Sequence, residues 1–314
     1  MNDTVFRASN TMSADSIQTF LVNEGSGLAS YSDIENCGST SGVHYTYYAT
    51  YYSCSSSEPA SKIIYDASQA YGINPQVILA TLQKEQSLIT TPDPTSSQLN
   101  CAMGYLSCGG DLGFFNQVDN ATWQFRTDYE LGSGNNWWGY TPANYPCSTG
   151  GTPTVSNGDN VGPGALYYSV GLYPGNSVTF YDYNGNPYAQ FVLPNISTAS
   201  LYCYTPHVYP GSAQDYYSGS YWFVYYFNLW FPTLVSSPGG GVYNIEIVGT
   251  TEEKQAFPST LIFLSYGYTW SDVSTISSTE LNLIPDGPAM PYNVDYRDGT
   301  LVTTTGGGIY DVSN

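Results

Sequence analysis

The spacing of apolar residues along the first 130 positions predicts a run of short amphipathic helices. Ser13 is a good N-cap, and Ile17, Phe20 and Leu21 share one face before Gly25 ends the segment. A second helix is predicted from Glu58 to Tyr71, with Ile63, Ile64 and Ala67 turned inward and Gly72 as the stop. A third follows at once. Asn74 caps it and Pro75 takes the first helical position, where its missing N–H has no helical partner to lose. Val77, Ile78, Thr81, Leu82, Leu88 and Ile89 then sustain the stripe to about Ile89. A further helix is predicted over Asn116 to Glu130, whereas residues 26 to 56 are polar, tyrosine-rich and irregular.

Beyond residue 131 the period changes. Short alternating runs, Ser177 to Tyr183 and Tyr188 to Leu193, flank Asn184-Gly185, a strong hairpin signal, so residues 131 to 194 read as a β-rich insertion. Helical character returns at Ser197 to Tyr204, ended by Pro206, and at Ser220 to Phe231, ended by Pro232. A repeat then marks a boundary. Thr233-Leu-Val-Ser-Ser-Pro-Gly-Gly-Gly-Val-Tyr243 recurs 67 residues later as Thr300-Leu-Val-Thr-Thr-Thr-Gly-Gly-Gly-Ile-Tyr310. Strands at Val242 to Ile247 and Gln255 to Phe257, a short helix from Ser259 to Tyr266 and a capping box at Ser277 and Glu280 fill the first copy. The second copy stops after its first strand. The expected architecture is α+β: a mainly helical domain over 1–231, then a small α+β module over 232–314 with a truncated second copy. That lone last strand exposes an edge, which predicts pairing with the module's own sheet or self-association between chains.

Charge narrows the partners. Six Lys and Arg face 25 Asp and Glu, a net charge of −19, so the chain would repel phosphate backbones and nucleic acid is excluded. Only 10% of residues are charged, and the surface must be built from Ser, Thr, Asn, Gly and the 32 Tyr. That composition suits an extracellular or cell-surface protein in contact with carbohydrate. No apolar run is long enough to span a bilayer, since the longest aromatic stretch, Tyr221 to Phe231, is short and contains Asn228. The first ten residues lack an apolar signal core, which implies a removed signal or another export route.

Cysteine usage agrees with export. Cys37, Cys54, Cys101, Cys108, Cys147 and Cys203 include no CxxC, and only His44 and His207 could add imidazole, so no metal and no cofactor is expected. Three disulfides are the better reading, with 15 pairings open in principle. Cys37 with Cys54 and Cys101 with Cys108 are local, which leaves Cys147 with Cys203 by elimination. Sequons stand at Asn2, Asn120 and Asn195.

One carboxylate interrupts the pattern. Glu85 lies three residues after Leu82, seven after Ile78 and four before Ile89, inside the apolar stripe of the third helix. A carboxyl group held against apolar neighbours tends to keep its proton, as a general acid must, although Lys84 is adjacent and an ordinary structural role is equally compatible with the stripe.

The segment from Asn74 to Leu88, NPQVILATLQKEQSL, resembles the catalytic helix of the lysozyme-like fold shared by goose-type lysozymes and soluble lytic transglycosylases. The resemblance is closest to secreted bacterial haemagglutinin-related proteins with C-terminal tandem modules. It is carried further by Met12 to Leu21, Ala102 to Tyr105, Gly113 to Val118, Ser197 to Pro206 and Trp222 to Phe231, and so covers residues 3 to 231. The trailing repeat, with Phe257-Pro-Ser259, Phe263 to Tyr268 and Asp298 to Val302, resembles modules that follow such a domain. One position departs from the pattern: Gln86 stands between the glutamate and Ser87, where transglycosylases place Ser directly after Glu.

The resemblance implies a secreted peptidoglycan-cleaving glycosidase, a lytic transglycosylase or muramidase, with Glu85 as general acid and then base. It also implies that Gln117 hydrogen-bonds sugar, that Tyr202 or Tyr204 contacts the acetamido sugar or Glu85, and that Ser87, Met103 and Phe114 contact substrate. No second acid is clearly placed: Asp119 and Asp128 are expected on a solvated helix face and Asp111 in a Gly-rich loop. The partner would be peptidoglycan or another cell-surface glycan. The competing expectation is a catalytically silent adhesion or filament-forming protein on the same scaffold.

Overall fold

The computed structural model of the protein describes residues 1–35, 50–105, 109, 111–150, 167–181, 187–205, 219–291, 301–303 and 309–311. Its contacts divide the chain into two units, Met1–Phe231 with Ile247–Thr251, and Pro232–Glu246 with Glu252–Asn314. Both helices and small sheets are present, an α+β architecture.

In the first unit, Asn2 accepts a hydrogen bond from the amide of Val5 and starts a one-turn helix, α1 (Asp3–Phe6). Ser13 caps α2 (Ala14–Asn23) through the amide of Ser16, and Ile17, Phe20 and Leu21 are its buried face. A short antiparallel hairpin follows, β1 (Ser32–Ile34) on β2 (Ser57–Pro59). That strand is why α3 (Ala60–Tyr71) begins two residues later than its pattern predicts. It ends at Gly72, whose φ of 59° is the left-handed conformation glycine adopts without penalty.

The central helix α4 (Pro75–Gln86) is capped by Asn74, which accepts from the amide of Gln76. Every residue from Pro75 to Gln83 is buried. It stops at Gln86 and not near Ile89, because Ser87 turns left-handed (φ 57°) and buried Gln83 takes over the hydrogen bonding. The Gln83 Oε1 accepts from the amides of Ile89 and Thr90 at 3.0 and 3.2 Å, so Leu88 and Ile89 are buried by a side-chain-stapled turn instead of by helix. A short helix, α5 (Ser96–Asn100), begins with a Thr95–Gln98 capping box that the apolar pattern does not reveal. The long α6 (Phe114–Gly132) lies on α3.

A second cluster of buried residues sits under the antiparallel sheet of β3 (Tyr167–Tyr168), β4 (Ser177–Tyr181) and β5 (Pro187–Val192). Leu172, Val178, Phe180 and Leu193 from this region meet Leu131, Tyr145, Ile196 and Ala199. The Asn184-Gly185 turn lies outside the described residues. Asn195 caps α7 (Ile196–Tyr204), accepting from the amide of Thr198 and donating to the carbonyl of Met1. Two of the three sequon asparagines thus serve as helix caps. α7 packs on α6, and a Cβ at Gly132 would stand 2.4 Å from Cδ1 of Ile196. α8 (Gly219–Trp230) packs on α4 through Phe223 and Phe227, leaving Tyr221, Val224, Tyr225 and Leu229 exposed.

Cys147 and Cys203 form a disulfide that ties the start of the β region to α7. Cys54 and Cys101 are also disulfide-bonded, and no cysteine is free among the described residues. Cys37 and Cys108 lie outside them.

The second unit is built on a four-stranded sheet in the order β8-β7-β6-β9, where β6 is Leu234–Ser236, β7 Val242–Val248, β8 Thr251–Ala256 and β9 Ser274–Thr275. α9 (Thr260–Ser265) is capped by Ser259, and α10 (Ser278–Leu283) opens with the Ser277–Glu280 capping box. The tail departs from the expected lone strand. β10 (Leu301–Thr303) pairs antiparallel with β11 (Ile309–Asp311), so the strand folds against its own continuation, and β6 and β9 complete the sheet of the first copy. Leu301, Val302 and Thr303 face Asp311, Tyr310 and Ile309 in the register that sets Leu234, Val235 and Ser236 against Asn244, Tyr243 and Val242.

Candidate functional site

The buried length of α4 brings its last turn, Lys84 and Glu85, to the place where α7 and the 102–105 turn meet. Neighbouring residues on a helix normally diverge, but the long Lys84 side chain reaches back across the helix end. Its ammonium lies 2.6 Å from Oε1 of Glu85, donates to Oγ1 of Thr205 at 2.6 Å and sits 5.5 Å from the centre of the Tyr204 ring. The Lys84 side chain is 6% exposed and that of Glu85 24%. The carboxylate therefore has a buried cation as its partner, where the stripe predicts an apolar wall.

Its other oxygen meets backbone. Gly104 has φ of 66°, and a Cβ there would stand 2.6 Å from Oε2 of Glu85. Only a residue without a side chain lets the turn approach this closely. The turn itself is held from two sides. The Tyr204 hydroxyl donates to the carbonyl of Met103 at 2.7 Å. Gln117 accepts from the amide of Tyr105 at 3.0 Å and donates to the carbonyls of Tyr105 and Asp111 at 3.4 and 3.1 Å. Burial, followed by the charge of Glu85, pushes the Tyr204 hydroxyl well above the usual tyrosine range, so it stays a donor. Burial and then Asp111 push Tyr105 to about 12.

Glu85, the Met103–Gly104 backbone, Gln117 and Tyr204 are thus brought together, though not in the expected roles. Gln117 is fully buried and its amide serves the loop, which leaves it nothing to offer a sugar. Met103 is wholly buried and contributes its carbonyl. Phe114 lies in the core, its ring edge-on to Tyr31 at 5.6 Å. Ser87 is the exposed left-handed cap of α4. Tyr202 turns to the other cluster, 5.1 Å from Phe180 and 5.3 Å from Phe191, and burial pushes it to about 12.

The carboxylates assigned to a solvated face are corrected as well. Asp119 is buried and accepts from the hydroxyls of Tyr52 and Tyr71 at 2.7 and 2.6 Å. Asp128 is completely buried, is pushed well up by burial and accepts from Nε2 of Gln124 at 2.7 Å. Neither is reached by solvent as a catalytic base would be. Asp111 is exposed, in a left-handed turn with φ of 52°.

On the other side of Lys84 a partly open pocket of about 280 Å³ is lined by residues of α1, α4, α6, α7 and α8, among them Val5, Phe125, Leu201, Phe223 and Phe227. Among the described residues no group of His, Cys, Asp and Glu is arranged to hold a metal ion, and no helix is long and apolar enough to cross a membrane.

Residues 1–131 match the family model of the LasA N-terminal domain. LasA is a secreted staphylolytic peptidase. No characterised protein and no solved structure matches the chain. The matched span runs from α1 to the penultimate residue of α6 and contains Glu85, Met103, Gly104, Phe114 and Gln117. This overturns the lysozyme-like glycosidase with Glu85 as general acid, because the helix that resembles a transglycosylase's lies inside a span that the domain of a peptidase describes. The Lys84 pairing gives the physical counterpart. A silent adhesion or filament protein on a lysozyme-like scaffold gains no support from the match either.

Proposed function

We propose that this is a secreted LasA-like protein that works at the bacterial cell wall, and that its N-terminal unit recognises wall polymer at the Glu85 site. The observation that carries the reading is the match of residues 1–131 to the LasA N-terminal domain, since that span includes Lys84, Glu85, Gly104 and Gln117. The chemistry is suited to recognition. A carboxylate fixed by Lys84 on one oxygen and by the Gly104 backbone at the other is an acceptor of set direction for an amide N–H or a hydroxyl of the glycan or its peptide. Low charge, abundant tyrosine and disulfides accord with an extracellular setting.

The test is co-sedimentation of the full chain with purified peptidoglycan, followed by chemical assay of the supernatant. Protein in the pellet, displaced by soluble wall fragments, supports the reading. Protein that stays in solution overturns it, as does release of reducing or anhydro-muramyl ends.

A further inference from the structure

Glu35, which follows β1, and Asp66 of α3 are both buried, at 0% and 5% exposure, and their carboxyl groups face one another. The amide of Ser53 donates to Oε2 of Glu35 at 2.6 Å. Oε1 is buried and receives no N–H or O–H from any side chain or backbone group among the described residues. On the far side, Lys62 pairs with Oδ2 of Asp66 one helical turn away. Glu58 of β2 adds a third carboxylate to the surroundings. Among the described residues no other charged group acts on the pair.

Two ionised carboxylates cannot hydrogen-bond to each other, and one lysine does not balance three acids. The missing donor for Oε1 is a proton carried by one of the two acids. We propose that Glu35 and Asp66 share one proton, and that this proton latches the β1–β2 hairpin onto α3 and lets go as the pH rises past neutrality.

Both groups are shifted in the required direction. Burial, reinforced by Asp66 and Glu58 against the Ser53 amide and Lys62, pushes Glu35 up to about 7. Burial also raises Asp66, although Lys62 opposes it. An unfolded glutamate titrates near 4.3. The folded group binds its proton more tightly, so its contribution is complete below that value and is lost as pH rises through about 7. The two acids titrate as a pair.

The latch reaches the Glu85 site through β1. Asp33 accepts from the amide of Phe115 at 3.0 Å, in the first turn of α6. Two residues on, Gln117 holds the turn that presses on Glu85. Freeing β1 therefore loosens the start of the helix that positions this turn.

Carboxyl-carbon NMR of the intact protein across a pH series tests the proposal on the wild type. A carboxyl resonance with its midpoint within about a unit of neutrality, absent in Glu35→Gln, is expected. If every carboxyl carbon titrates below about pH 5.5, the shared proton does not exist. Hydrogen exchange, corrected for intrinsic rate, supplies the second measurement. Opening of residues 31–35 and 53–59 should rise about tenfold or more between about pH 5 and about pH 7.5, and this slope should be lost in Glu35→Gln and Asp66→Asn. An equal slope in both variants overturns the latch.

Discussion

The ammonium of Lys84 stands 2.6 Å from Oε1 of Glu85, its neighbour in sequence, and is almost entirely buried between that carboxylate, Thr205 and the Tyr204 ring. A buried cation with a carboxylate, a hydroxyl and an aromatic face around it is compensated; remove it, and the carboxylate is left pressed against the Gly104 backbone. Lys84→Met should destabilise the chain by about 1–3 kcal/mol, discounted because Glu85 keeps some solvent contact. Urea unfolding of Lys84→Met, Glu85→Gln and the double variant forms a cycle. A coupling of about 1 kcal/mol or more is expected, and strict additivity would mean that the pair contributes nothing.

Gly104 is constrained twice, by its positive φ and by Glu85 Oε2 where its Cβ would go. Gly104→Ala should cost about 1–3 kcal/mol, and it should weaken wall binding by displacing the carboxylate. Gly134→Ala is the control, since it shares the positive φ and meets nothing within 4 Å. A smaller loss there isolates the steric part, and equal losses would show the contact with Glu85 to be irrelevant.

Gln117→Leu keeps the volume and removes three hydrogen bonds to the backbone of Tyr105 and Asp111. A stability loss of about 1–3 kcal/mol is expected, from backbone groups of Tyr105 and Asp111 that lose these partners. The specific mark is the Tyr105 amide, whose protection from hydrogen exchange should disappear while the amides inside α4 keep theirs. Retained protection at Tyr105 would reassign the side chain to packing alone.

The Cys147–Cys203 bond joins residues 56 apart. For a loop of this length, chain entropy predicts that replacing both by Ser costs about 4 kcal/mol. Both ends belong to the second cluster, so the loss should appear first there. Tyrosine fluorescence or limited proteolysis should report release of the 167–192 region before α2 to α4 unfold. Simultaneous loss of both regions would contradict this order.

Helix starts were legible because their cause is local. Ser13, Asn74, Ser259 and Ser277 each bond to an amide two or three residues on, and such caps act wherever the chain goes afterwards. Helix ends were less so. α4 stops at Gln86 because Gln83 captures amides six and seven residues ahead, a competition that periodicity does not register. The glycosidase reading failed on a similar point: a glutamate in an apolar stripe looks solitary until a neighbouring side chain is seen to turn toward it.

By itself the sequence determined the local and the repeated. The 67-residue repeat was plain in the sequence, but its pairing was not: both copies set the strand against its own continuation, Val235 on Tyr243 and Val302 on Tyr310, where a lone last strand was expected. Tertiary structure decided which charges are alone. Asp119 finds Tyr52 and Tyr71, Asp128 is wholly buried with Gln124 donating to it, and Glu35 meets Asp66 from 31 positions away. Each of these carboxyl groups lies on a segment whose own pattern permits exposure. What covers a helix face comes from elsewhere in the chain, and the state of a buried acid depends on the partners that arrive with that cover.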